Sequence, residues 1–214
     1  MNLVFGLIGI IVLLALVWFT KSAAKIKHTK DTINNSYTEP EKEYLFSAEF
    51  EKGKIIFSTL SFEELFTKTH CFYIPLEVSD RGIKPLIDGH EQFITDKMIK
   101  NLEYYYDTSQ KYKVFCEDAE GKKILYSNFP LSYAFEEVED DIKILISDIL
   151  KKAVEEECKE ISLPLYLSDR INLNIKTYVE TLIEPIEAFV KDNELNVILF
   201  NENERFQWQL IDSL

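Results

Sequence analysis

The sequence predicts an α+β fold: one N-terminal transmembrane helix, then a single domain in which a mainly antiparallel sheet packs against helices. Three observations predict it. An uncharged apolar run opens the chain, three hairpin-like pairs of strand signals follow, and amphipathic helical patterns separate them. The expected organisation is an anchor at 1–20, a basic juxtamembrane segment and polar linker at 21–43, and an acidic globular domain at 44–214.

Residues Leu3 to Phe19 are all apolar or glycine, a run of 17. About 20 helical residues cross a hydrocarbon core, so Met1 to Thr20 just suffices. Trp18 falls where an indole favours the interface. Lys21, Lys25, Lys27 and Lys30 follow at once. A cleaved signal peptide would place its positive charge before the apolar run and keep the run shorter, so the pattern reads as a retained anchor. Basic residues beside a span stay on the cytoplasmic side, which predicts a single-pass protein with its N-terminus outside and its C-terminal domain in the cytoplasm.

The charge is unevenly placed. The net charge is −13, from 24 basic and 37 acidic side chains. Four lysines and no acid lie in residues 1–30, which leaves 20 basic against 37 acidic side chains beyond, a net of −17. Displacing phosphate counterions needs cations, so nucleic acid is excluded as a partner.

Tyr44 to Phe50 and Lys54 to Thr59 are rich in aromatic and β-branched residues around Glu51-Lys52-Gly53, a hairpin signal. Ser61 with Glu64 three residues later forms a capping-box pattern opening a helix over Phe62 to Thr69. Cys71 to Val78 reads as a strand, with Pro75 suggesting a sheet edge. Ser79 to Gly89 reads as a loop, and Glu91 to Tyr106 as a helix with Ile94, Met98, Leu102 and Tyr105 on one face. Lys111 to Cys116 and Lys122 to Ser127 form a second hairpin.

Phe135 to Glu160 is the longest helical pattern. Its apolar stripe runs through Ile142, Leu145, Ile146, Ile149, Leu150 and Ala153. Ile171 to Lys176 alternates as a strand does. Thr177 to Lys191 returns to helical spacing despite Pro185. Leu195 to Phe200 and Arg205 to Ile211 read as a third hairpin. The motif Glu49-x-x-x-Gly53-Lys54-x-Ile56 recurs as Glu117-x-x-x-Gly121-Lys122-x-Ile124, which suggests either a duplicated hairpin-helix unit or two ordinary hairpins sharing a turn residue.

Catalytic signatures are scarce. Beyond residue 30 the only glycines are Gly53, Gly82, Gly89 and Gly121, so no glycine loop is written for a nucleotide phosphate. No C-x-x-C occurs, and an Asp80, Asp88, His90, Glu91 group lacks the ligand spacing of a metal site. Cys71, Cys116 and Cys158 read as small buried hydrophobes, with Cys71 beside His70 the least poor nucleophile. No cofactor is expected.

The acidic run Glu136 to Asp141 suits a helix start, where free amides and the macrodipole favour carboxylates. Glu155, Glu156, Glu157 and Glu160 lie at the other end, where the dipole opposes them. They are therefore taken, with Tyr104 and Tyr106, as a partner-binding surface for a protein with a basic face. The expected function is a membrane-anchored interaction or scaffold module, such as an accessory subunit of a membrane complex. The alternatives are an immunity or inhibitor protein against a basic toxin or enzyme, and an enzyme of unrecognised type.

The topology reading is tested directly. A reporter fused after Leu214 is expected to be active only on the cytoplasmic side, and replacing Lys21, Lys25, Lys27 and Lys30 together should weaken that bias. Activity of the reporter outside would contradict it.

Overall fold

The structure is a computed structural model and describes residues 44–79, 81–87, 90–131, 138–165 and 175–201. The elements run β1 (Tyr44–Glu49), β2 (Lys54–Ser58), α1 (Phe62–Lys68), β3 (Cys71–Ser79), β4 (Gly82–Pro85), a 3-10 turn (Glu91–Phe93) and α2 (Asp96–Tyr105). They continue as β5 (Phe115–Ala119), β6 (Lys122–Asn128), α3 (Val138–Glu155), β7 (Glu160–Pro164), α4 (Ile175–Asp192) and β8 (Asn196–Phe200). The expected anchor and linker, and the strand at 205–211, lie outside the described residues. No helix among the described residues is long and apolar enough to cross a membrane.

The eight strands of the described residues join one sheet in the order β1-β2-β8-β7-β3-β6-β5, with β4 pairing β3 off this path. The five inner strands β2, β8, β7, β3 and β6 run parallel, and among the described residues antiparallel pairing is confined to β1–β2, β3–β4 and β5–β6. The expectation of a mainly antiparallel sheet is therefore corrected to a mixed α/β domain whose sheet is packed with helices. The first two expected hairpins, β1–β2 and β5–β6, are present, and they lie at the two edges of a parallel core.

The physical reason is burial on both faces. Along β8, Val197 and Leu199 enter one apolar cluster while Ile198 and Phe200 enter the other. Along β3, Cys71 and Tyr73 alternate in the same way with Phe72 and Ile74. A strand buried on both faces reads as a continuous apolar run, which is the signature of a parallel sheet under helices. One face is covered by α3 through Ile142, Leu145 and Ile149 and by α4 through Val179, Leu182 and Ile186. The other is covered by α1 through Phe62 and Leu65 and by α2 through Met98 and Leu102.

Local signals hold where they are self-contained. Ser61 Oγ accepts from Glu64 N at 3.3 Å and Glu64 Oε2 accepts from Ser61 N at 2.8 Å, completing the capping box of α1. The segment read as one helix from Glu91 divides at Thr95, whose hydroxyl caps α2 by accepting from Met98 N at 3.1 Å. Two strands escaped the periodicity. β4 lies within the expected loop, and β7 begins at Glu160, where the long helical pattern was expected to end. Ile175 and Lys176, expected in a strand, begin α4. A third hairpin on β8 is excluded, because β2 and β7 pair with β8 along its whole length on either side.

The two similar turns use glycine differently. Glu120 and Gly121 both have positive φ, 54° and 78°, as the two-residue hairpin turn requires. Gly53 needs no such conformation. A Cβ there would lie 2.3 Å from Leu195 O and 3.0 Å from Asn193 O, so its role is to let the β1–β2 turn approach the α4–β8 connection. Gly53→Ala should therefore destabilise by about 2–3 kcal/mol through overpacking. Gly121→Ala, with open space around its Cβ, should cost only about 1 kcal/mol of left-handed strain. Equal losses in denaturant melts would contradict this division of roles.

Candidate functional site

In parallel sheets ligands settle outside the carboxyl ends of the strands, where neighbouring strands send their connections in opposite directions. Here that place is the seam between β3 and β7. The chain leaving β3 passes through α2 and returns as β6, whereas the chain leaving β7 passes through α4 and returns as β8. These helices cover opposite faces of the sheet.

Ladder pairing across the seam stops early for a backbone reason. Register between β7 and β3 holds at Phe72–Ser162 and goes no further. Peptide groups alternate sides along a strand. Leu165 N donates to Phe200 O of β8 at 2.7 Å, so the preceding Pro164 turns its nitrogen toward β3. Leu76 O accepts from Phe129 N on the β6 side at 2.8 Å, while Pro75 O accepts from Leu86 N at 3.0 Å. Pro75 therefore faces the side that β7 occupies. Neither proline has an N–H, so the ladder stops there. The expectation that Pro75 marks an edge strand is corrected: β3 is central, and the proline ends the pairing on one side only. β4 takes over that side from Leu76 to Ser79.

Each bank of the seam is tied to its own neighbour. Asn128 Oδ1 accepts from Val78 N at 3.2 Å, prolonging the β3–β6 contact. Asn201 Nδ2 donates to Leu165 O, prolonging β7–β8. Beneath the edge lie aromatic rings, with the buried His90 imidazole 3.9 Å from the Phe62 ring centroid and edge-on to Phe93 at 5.9 Å. The connections 88–89, 132–137 and 166–174, which leave this edge, lie outside the described residues. Sequence reasoning missed this seam. Its signal was the pair of prolines in otherwise apolar strands.

The residues expected to carry chemistry or binding are dispersed. Among the described residues no group of three His, Cys, Asp or Glu side chains could hold a metal ion. Asp80 and Asp88 lie outside the described residues, and Glu91 is exposed while His90 is buried. His70 is exposed and Cys71 wholly buried, as neighbours on a strand should be. Tyr104 is 75% exposed and Tyr106 38% exposed, while Tyr105 between them packs on Phe115 under the Lys113 ammonium.

The late glutamates have local structural work. Cys158 N donates to Ala153 O at 2.9 Å and Glu157 N to Val154 O at 3.0 Å, with Glu157 at φ 60°, which closes α3 in a Schellman motif. Glu156 reaches Lys152 at 2.8 Å and Lys123 at 3.3 Å. Hydrogen bonds from Lys152, and then from Lys123, hold its carboxyl below the usual range. Glu155 also pairs with Lys152, at 3.4 Å. Glu160 is half-buried at the start of β7, and burial raises its carboxyl.

No family model matches the chain, and no curated protein matches it. Solved structures do. A point mutant of the Oceanobacillus iheyensis macrodomain solved with ADPR aligns with a TM-score of 0.58 at 9% identity, covering 78% of this chain and 95% of that one. The IBV X-domain aligns at 0.55 and 9% identity, covering 78% of this chain and 100% of that one. The macro domain of ganglioside induced differentiation associated protein 2 aligns at 0.52 and 10% identity, covering 67% and 76%. The chain thus has the fold of macrodomains. This overturns the expectation of an interaction scaffold or an immunity protein: the solved structures that share the fold are macrodomains, among them ones with ADPR and with ADP.

The Glu156 pairs give a pH-dependent test. A carboxyl lowered by folding stabilises above its unfolded value, and that stabilisation is lost as pH falls through the folded value. Glu156→Gln should cost about 1 kcal/mol at neutral pH, and the gap from wild type should close in acid, below the ordinary carboxylate range. A gap independent of pH would contradict the ion-pair assignment.

Proposed function

We propose that this domain binds a ligand of the adenosine diphosphate ribose class in the crevice where β3 and β7 part. The observation that carries the reading is the weakly paired seam at the carboxyl ends of parallel strands, where the connections diverge to opposite faces, in a sheet whose solved neighbours include macrodomains with ADPR and with ADP. The chain from β7 to α4 carries Asp169, Arg170, Asn172 and Asn174. An arginine offers a diphosphate two parallel N–H bonds, and the acid and amides suit ribose hydroxyls. Only one glycine, Gly89, occurs in the connections at this edge outside the described residues, so recognition rests on side chains more than on a glycine cradle. We further propose that residues 1–20 tether the domain to a membrane, with the domain on the cytoplasmic side.

Calorimetry on the full chain in detergent tests the binding. ADP-ribose is expected to bind in the micromolar range, and Arg170→Ala to weaken it about tenfold, or about 1.4 kcal/mol. No binding of ADP-ribose or ADP at millimolar concentration would overturn the reading.

A further inference from the structure

At the amino end of the same seam the fold gathers all three cysteines. Cys71 opens β3 and is wholly buried. Cys158 follows the Schellman turn of α3 and is half-buried. Cys116 in β5 faces the same apolar cluster. The Cys71 and Cys158 side chains pack into the same apolar cluster, and Cys158 Sγ lies 3.8 Å from Glu156 O. Lys123 pairs with Cys71 across β3 and β6, and its ammonium reaches Asp118 at 2.8 Å and Glu156 at 3.3 Å beside them. A surface depression lined by Val154, Glu157, Cys158, Lys159, Asn193 and Glu194 gives solvent a path to Cys158.

We infer that Cys158 and Cys71 are a redox pair that closes to an intramolecular disulfide when a hydroperoxide reaches Cys158 through this depression. The roles follow from the surroundings. The neighbouring Cys71 thiol, and more weakly the Lys123 charge, bring the Cys158 thiol below its ordinary value. The neighbouring Cys158 thiol, together with burial, raises Cys71 and keeps it protonated, and burial pushes Cys116 up to about 11. The Cys158 thiolate attacks the peroxide oxygen, so an S–O bond forms, the O–O bond breaks, and an alcohol or water leaves with a proton. The Cys71 sulfur then attacks the Cys158 sulfenic acid. The S–S bond forms, the S–O bond breaks, and water leaves with the Cys71 proton. Two thiols are oxidised by two electrons, and the hydroperoxide is reduced by two. The bond joins the start of β3 to the α3–β7 junction, on the two banks of a seam that the backbone ladder holds at one register pair.

The test treats the reduced full chain with hydrogen peroxide, alkylates the remaining thiols and maps the peptides by mass spectrometry. The expected product is a monomer with a Cys71–Cys158 crosslink, an alkylated Cys116 and a melting temperature raised by about 5 °C or more, because the bridge closes a long loop. Cys158→Ser, at a half-exposed position, should abolish both the crosslink and the shift. Cys71→Ser should leave a Cys158 sulfenic acid that dimedone traps. If Cys71→Ser does not fold, the wild-type crosslink map decides alone. A crosslink through Cys116, a disulfide-linked dimer, or three alkylatable thiols after peroxide would overturn the inference.

Discussion

Two missing backbone donors shape the centre of this protein. Pro75 and Pro164 sit in adjacent parallel strands, and both turn their nitrogens into the space between them. A parallel ladder needs an N–H at alternate residues of each strand. With both absent, β3 and β7 pair at Phe72–Ser162 and no further ladder pair joins them. Each strand is bonded instead to its other neighbour, β3 to β6 through Phe129 N and β7 to β8 through Leu165 N. The sheet behaves there as two zipped halves meeting at a seam.

That seam coincides with the reversal of chain direction across the sheet. The connection from β3 crosses one face and the connection from β7 crosses the other. The two apolar clusters under α1 and α2 and under α3 and α4 hold the strands rigid from both sides. The place of the seam is set by the topology, and the two prolines keep its banks from pairing further. The fold is shared with solved macrodomains at 9–13% identity, because a topology is carried by the apolar pattern of the strands and helices rather than by particular residues. The amino end of the seam is chemically different, with three thiols and the Lys123–Glu156 pair.

Much of the local structure was legible in the sequence. The capping box at Ser61 and Glu64, the β5–β6 turn at Glu120-Gly121 and the apolar stripe of α3 each depend on residues within a few positions of one another. What failed depends on distant partners. Glu160 to Pro164 is a short apolar run after a long helix, and periodicity alone cannot separate a buried strand from the last turn of a helix. Strand order was illegible for the same reason: β8 reads as half of a hairpin until β2 and β7 are seen occupying both of its sides. Of the two lysines that hold Glu156, Lys152 lies one helical turn away and was legible, whereas Lys123 lies 33 residues away in sequence and was not. The cysteines looked inert singly, since their meeting is a property of the sheet. Of the candidate site, only the two prolines were visible, and their meaning required the topology.

The most direct test of the account is hydrogen–deuterium exchange on the full chain with and without saturating ADP-ribose. The account predicts new protection in the connections that follow β4, β6 and β7, at 86–91, 129–137 and 165–175, with the amino edge around Cys158 unchanged. Protection confined to the amino edge, or none at the three connections, would contradict it.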